Sequence, residues 1–124
     1  MATGEQVVVV LNRDLMFGSK IASAARINGL EPRFVRDAAA FAAAVREEGE
    51  RGALGIVDMN GPLDWAAIAD LAGDAAVTTP LIGFGPHVDV EGRRAAKGAG
   101  LARILANGEF HRETAEMIAR YARR

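Results

Sequence analysis

The stretch Ala53-Leu54-Gly55-Ile56-Val57-Asp58-Met59-Asn60-Gly61-Pro62 constrains the fold of this chain more than any other. Strand-forming apolar residues run unbroken until they stop at a carboxylate, and a turn signature follows at once. Bounded by Gly and Pro, such a run is the pattern of a strand buried on both faces, as in a parallel sheet. A charge where that strand stops lies at the carboxyl edge of the sheet, where open α/β folds keep their ligand crevice. Asp58 is the residue around which the remaining chain is read.

Val7-Val8-Val9-Val10-Leu11 is an equally apolar, β-branched first strand, and it too ends in polar residues, Asn12-Arg13-Asp14. Asp14 suits the N-cap of a helix from about Leu15 to Asn28, with Gly29 as its left-handed stop. Pro32–Val35 reads as a second strand, and Asp37 caps a helix over Ala38–Glu48. A return loop, Gly49–Gly52, leads to the Asp58 strand. Asp64 then caps a short third helix bearing Trp65, Ile68 and Leu71, and Pro80–Phe84 reads as a fourth strand. Asp89 caps a fourth helix to about Lys97, and Leu101–Ala106 is a fifth strand. A last helix runs from Phe110 or His111 to Arg123, with Phe110, Met117, Ile118 and Tyr121 spaced for burial.

Five strands alternating with five helices over 124 residues imply right-handed βαβ units in one domain, residues 1–124. The expected architecture is a flavodoxin-like, doubly wound sheet of order 2-1-3-4-5. That order brings Asn12-Arg13-Asp14 beside Asp58, the one constellation here with chemical content.

Composition narrows the function. A net charge of −1 gives no field to attract nucleic acid or a membrane surface. With no cysteine there is neither disulfide nor thiolate metal site. The N-terminal residues lack the basic region of a signal peptide, and the longest apolar run, Ala38–Val45, is far short of the roughly 20 residues that span a bilayer. The expectation is a cytoplasmic protein.

The aspartate ending the third strand, the turn Asp58-Met59-Asn60-Gly61-Pro62, Thr79-Pro80 opening the fourth strand and Lys97-Gly98-Ala99-Gly100 before the fifth together resemble the receiver domain of bacterial response regulators. The resemblance covers essentially the whole chain. It implies a phosphoacceptor at Asp58, which in the family receives a phosphoryl group from a histidine kinase, and a backbone contribution to metal binding near Asn60. The family's acidic Mg²⁺-binding pair falls on Asn12 and Arg13. Its hydroxyl position falls on Gly85, its lysine on Asn107, and its aromatic switch position near Ile104. The scaffold matches, whereas most of the reactive apparatus does not.

Charge arithmetic gives the departure its weight. Mg²⁺ usually needs one or two carboxylates, and replacing two carboxylates by Asn and Arg changes the local charge by three units. An Arg13 guanidinium near 4 Å from Asp58 would be attracted by up to ~4 kcal/mol at an effective dielectric of 20, before desolvation. Arg13 is therefore expected to stand in for the metal and pair with Asp58. Asp14 could serve as a metal ligand, but its place before a helix favours capping. No resident cofactor is expected, Mg²⁺ entering only if Asp58 is phosphorylated.

Other candidates have simpler readings. Gly83-Phe84-Gly85 follows the fourth strand, lacks a third Gly and meets Pro86, so it is no dinucleotide fingerprint; Gly85 is expected in an unusual backbone conformation. His87 and Asp89 make at most half a metal site. His111 reads as a surface residue at a helix start. Arg93, Arg94 and Lys97 make the fourth helix basic, and Arg112, Arg120, Arg123 and Arg124 do so for the last. With Ile104 and Tyr121 they outline either a solvated face or a docking face for a kinase, an effector or a second copy.

The expectation is a non-enzymatic signalling module acting by protein association. The alternatives are a phosphorylatable response regulator using Asp58 and a small-ligand-binding flavodoxin-like protein using the crevice around Asp58, Asn12 and Gly85.

Overall fold

Short carboxylate side chains set the helix starts. In the computed structural model, which describes residues 5–123, Asp14, Asp37, Asp64 and Asp89 each accept backbone N–H groups of the first turn that follows, satisfying donors that a helix leaves unpaired. The elements are β1 (Val7–Leu11), α1 (Leu15–Ile27), β2 (Glu31–Val35), α2 (Ala38–Glu48), β3 (Gly52–Asp58), α3 (Trp65–Ala72), β4 (Leu81–Gly85), α4 (Val90–Ala99), β5 (Arg103–Ala106), α5 (Asn107–Arg112) and α6 (Thr114–Tyr121). A 3₁₀ turn, Gly49–Arg51, forms the expected return loop. Met1–Gly4, at the N-terminus read for a targeting signal, and Arg124 of the basic final segment lie outside the described residues.

The five strands form one parallel sheet of order β2-β1-β3-β4-β5, as the alternation predicts. Within the all-apolar β1 the pleat divides the side chains between two cores. Val7, Val9 and Leu11 join Val57 and Leu81 under α2, α3 and α4. Val8 and Val10 join Leu54, Ile56, Ile82 and Phe84 under α1, α5 and α6. Gly55 is glycine because of packing: a Cβ there would lie 2.7 Å from Leu81 Cδ2 and 2.8 Å from Phe41 Cζ.

The last helix departs from expectation. It begins at Asn107, directly on β5, and divides into α5 and α6 at Glu113, whose backbone (φ −128°, ψ 38°) is not helical. The described residues thus hold six α-helices instead of five. Thr114 Oγ1 donates to the Phe110 carbonyl at 2.7 Å, the type of local side-chain bond that competes with the backbone ladder and bends helices.

Beyond α6, Arg123 ties the chain to the amino edge of the sheet. Its backbone N–H donates to Ala53 O at 2.9 Å, Nε to Gly52 O at 3.0 Å and Nη2 to Gly49 O at 3.0 Å, while Nη1 reaches Thr78 Oγ1.

Candidate functional site

Asp58 ends β3 opposite Phe84 of β4 and is only 1% exposed. A buried carboxylate needs hydrogen-bond donors, and the chain supplies them. Oδ1 accepts the backbone N–H of Asn60 at 2.9 Å and its Nδ2 at 2.8 Å; Oδ2 accepts the backbone N–H of Arg13 at 3.2 Å. Asn60 also forms a reciprocal amide pair with Asn107: Asn60 Nδ2 donates to Asn107 Oδ1 at 3.0 Å, and Asn107 Nδ2 donates back to Asn60 Oδ1 at 2.8 Å. The loop after β3 is so joined to the first residue of α5. The structure brings Asp58, Asn60 and Asn107 together at the carboxyl edge of the sheet.

Arg13 does not pair with Asp58 through its side chain, contrary to expectation. No Arg13–Asp58 ion pair occurs among the described residues; the guanidinium donates to the Pro62 carbonyl. Gly61 makes room for it, since a Cβ there would lie 2.8 Å from Arg13 Nη1, and the Gly61 φ of +156° is itself a glycine conformation. The arginine fastens the loop after β3 to the β1–α1 connection, and only its backbone serves the carboxylate.

Asn12 turns toward α1, donating Nδ2 to Asp14 O at 3.0 Å. Its amide lies so close over Gly18 that a Cβ there would come within 2.5 Å of Nδ2. Asp14 is occupied as the N-cap, Oδ1 accepting from Met16 N–H at 2.8 Å and Phe17 N–H at 3.4 Å. Gly85 is buried strand without positive φ, so the expected unusual conformation is absent. Met59 explains it, because a Cβ on Gly85 would sit 3.0 Å from Met59 Cβ. Asp89 Oδ1 accepts Gly92 N–H at 2.8 Å as a cap, and His87 is exposed.

These residues do not fit Mg²⁺. Among the described residues no group of three His, Cys, Asp or Glu side chains is placed to hold a metal ion. Asp58 has three donors of the chain on its two oxygens, Asn12 faces α1, and Asp14 faces a helix terminus. A hard dication requires several convergent oxygens.

His111, expected at the surface, is instead buried at 9% exposure. Its ring stacks on Phe17 with centroids 3.6 Å apart and stands edge-on to Phe84 at 5.1 Å and Phe110 at 5.3 Å. Neither ring nitrogen has a hydrogen-bond partner among the described residues. Burial holds the imidazole pKa below its usual value and the Lys20 charge adds to this, whereas Asp58 and Asp14 act in the opposite sense. The signal is present in the sequence, where Phe110, His111, Thr114, Met117 and Ile118 recur at helical spacing.

On the basic side, Lys97 is exposed, Arg93 is half-buried, and Arg94 is exposed with Glu91 at 3.8 Å. Ile104 packs on the α2–α4 core and Tyr121 on the opposite one, so both are partly covered. Among the described residues no helix is long and apolar enough to cross a membrane.

A parallel sheet in this order, with a buried carboxylate closing the third strand, defines a flavodoxin-like fold of the receiver type. Solved structures bear this out. The chain is similar to the Vibrio cholerae chemotaxis protein CheY4, with 14% identity, 94% of this chain and 98% of that one covered, and a TM-score of 0.75. It is similar to the phosphorylated cyanobacterial phytochrome response regulator RcpA, with 14% identity, 94% of each chain and a TM-score of 0.77. The signal receiver domain of a histidine kinase from Syntrophus aciditrophicus matches with 18% identity, 94% of this chain and 89% of that one, and a TM-score of 0.73. No family model matches the sequence, and no curated protein matches it. The fold is that of response-regulator receiver domains.

Proposed function

We propose that this is an atypical receiver domain, a non-enzymatic signalling module that acts by binding a protein partner without metal-dependent phosphotransfer. The observation that carries this reading is the state of Asp58: a carboxylate with its donors supplied from within the chain, lying under a closed Asn60–Asn107 amide pair. Phosphoryl transfer needs cations or donors aimed at the charge that develops on the phosphoryl oxygens. Here the acidic pair is an amide and an arginine committed to Pro62, the hydroxyl position is Gly85, and the lysine position is Asn107. The partner face we assign is α4 with β5 and α6, carrying Arg93, Arg94, Lys97, Ile104 and Tyr121. Its occupant is a kinase, an effector or a second copy of the chain. With its mixed apolar and basic character and Tyr121 as its single aromatic residue, this face suits a protein better than a nucleic acid, which binds through several stacked aromatics among the charges.

The test is incubation with Mg²⁺ and a small acyl phosphate, or with beryllofluoride, followed by intact mass and amide chemical shifts of the wild type and Asp58→Asn. The expected result is no adduct and no shift perturbation. An adduct confined to Asp58, with shifts reaching Asn107, would overturn the proposal in favour of a phosphorylatable regulator. A co-purified small molecule in a native mass spectrum would overturn it in favour of ligand binding.

A further inference from the structure

Both members of the amide pair over Asp58 are followed by glycine, as Asn60-Gly61 and Asn107-Gly108. Asparagine before glycine is the sequence in which a backbone nitrogen most readily reaches the side-chain carbonyl, because glycine has no side chain to obstruct the approach and the widest backbone freedom. Asn60, Gly61 and Gly108 are exposed to water. Packing does not demand glycine at 108, where a Cβ would meet nothing within 4 Å and φ is not positive. Against this stand the hydrogen bonds. Before the Asn60 side chain can turn toward Gly61 N, it must release Asp58 Oδ1 and both bonds to Asn107.

We propose that Asn60-Gly61 and Asn107-Gly108 are a masked deamidation site, in which each asparagine restrains the other. The chemistry needs only water as co-reactant. The glycine backbone nitrogen loses its proton and attacks Cγ of the preceding asparagine. The bond from Cγ to the amide nitrogen breaks, ammonia leaves, and a five-membered succinimide remains. Water then opens either carbonyl, giving aspartate or isoaspartate. At residue 60 the product replaces the Nδ2 donor on Asp58 Oδ1 with a carboxylate oxygen, so an attraction becomes a repulsion between like charges. The bond from Asn60 Nδ2 to Asn107 Oδ1 is lost at the same time, and the tie between the loop after β3 and α5 weakens. This inference does not depend on whether the domain binds a partner.

The test follows conversion of amide to acid by peptide mass spectrometry in mildly alkaline buffer, for folded wild type, Asn107→Ala, Asn60→Ala and urea-unfolded wild type. Circular dichroism establishes that each variant is folded. In folded wild type, both sites should convert far more slowly than in the unfolded chain. Asn107→Ala should speed conversion at Asn60 about tenfold or more, because two hydrogen bonds no longer have to break first. Asn60→Ala should speed Asn107 likewise, which keeps the test valid if one variant fails to fold. Conversion in the folded wild type as fast as in urea, or a folded variant whose remaining asparagine converts at the wild-type rate, would overturn the proposal.

Discussion

Acidification from pH 7 to 5 should destabilise this domain through His111. The imidazole is buried against Phe17, Phe84 and Phe110 with neither nitrogen hydrogen-bonded among the described residues, and its folded pKa is lowered, chiefly by burial. In the unfolded chain the same group titrates near 6.5. Between that value and the lower folded pKa the unfolded state binds the extra proton, so stability falls as pH falls. The slope reaches at most about 1.4 kcal/mol per pH unit. From pH 6.5 to 5 the loss is bounded at ~2 kcal/mol, a large share of the stability of a small domain. Urea midpoints at pH 7, 6 and 5 measure it, in a His87→Gln background that removes the other histidine. His111→Phe, which keeps the ring and discards two unsatisfied nitrogens, should abolish the slope and raise stability at pH 7 by about 1 kcal/mol or more. Equal slopes in the wild type and His111→Phe would refute the argument.

Further outcomes follow from packing and charge. Gly55→Ala forces a methyl against Leu81 and Phe41, and should lower the urea midpoint by the equivalent of roughly 1–3 kcal/mol. Asp14→Ala removes the N-cap of α1 and should cost about 1 kcal/mol by thermal unfolding. The pair Asn12→Asp with Arg13→Asp places two carboxylates in the connection after β1 and should create Mg²⁺ affinity by calorimetric titration, where the wild type should give no heat. An unchanged titration would count against the charge argument for this site.

The architecture was legible because its signals are local. Val7–Leu11 and Ala53–Val57 are too apolar to lie anywhere but in a covered parallel sheet, and four aspartates mark the helix starts they in fact cap. The position of Asp58 followed from strand order alone. Side-chain directions at the site were not legible. Arg13 was free by charge to seek Asp58, and only the missing Cβ at Gly61 and the nearby Pro62 carbonyl show why its guanidinium goes elsewhere. The Asn60–Asn107 pair joins residues 47 apart in sequence, and no periodicity announces such a contact. His111 escapes a sequence reading because a polar residue at a helix start suggests solvent, although its helical spacing with Thr114 and Ile118 places it among residues that are buried.

Arg123 gives the chain a mechanical property. By bonding to Gly49, Gly52 and Ala53, it moors the C-terminal segment to the strand at the centre of the sheet. Tension applied to that end is delivered to β3 before it can unwind α6, so the domain should yield as one unit under load instead of peeling turn by turn from its tail.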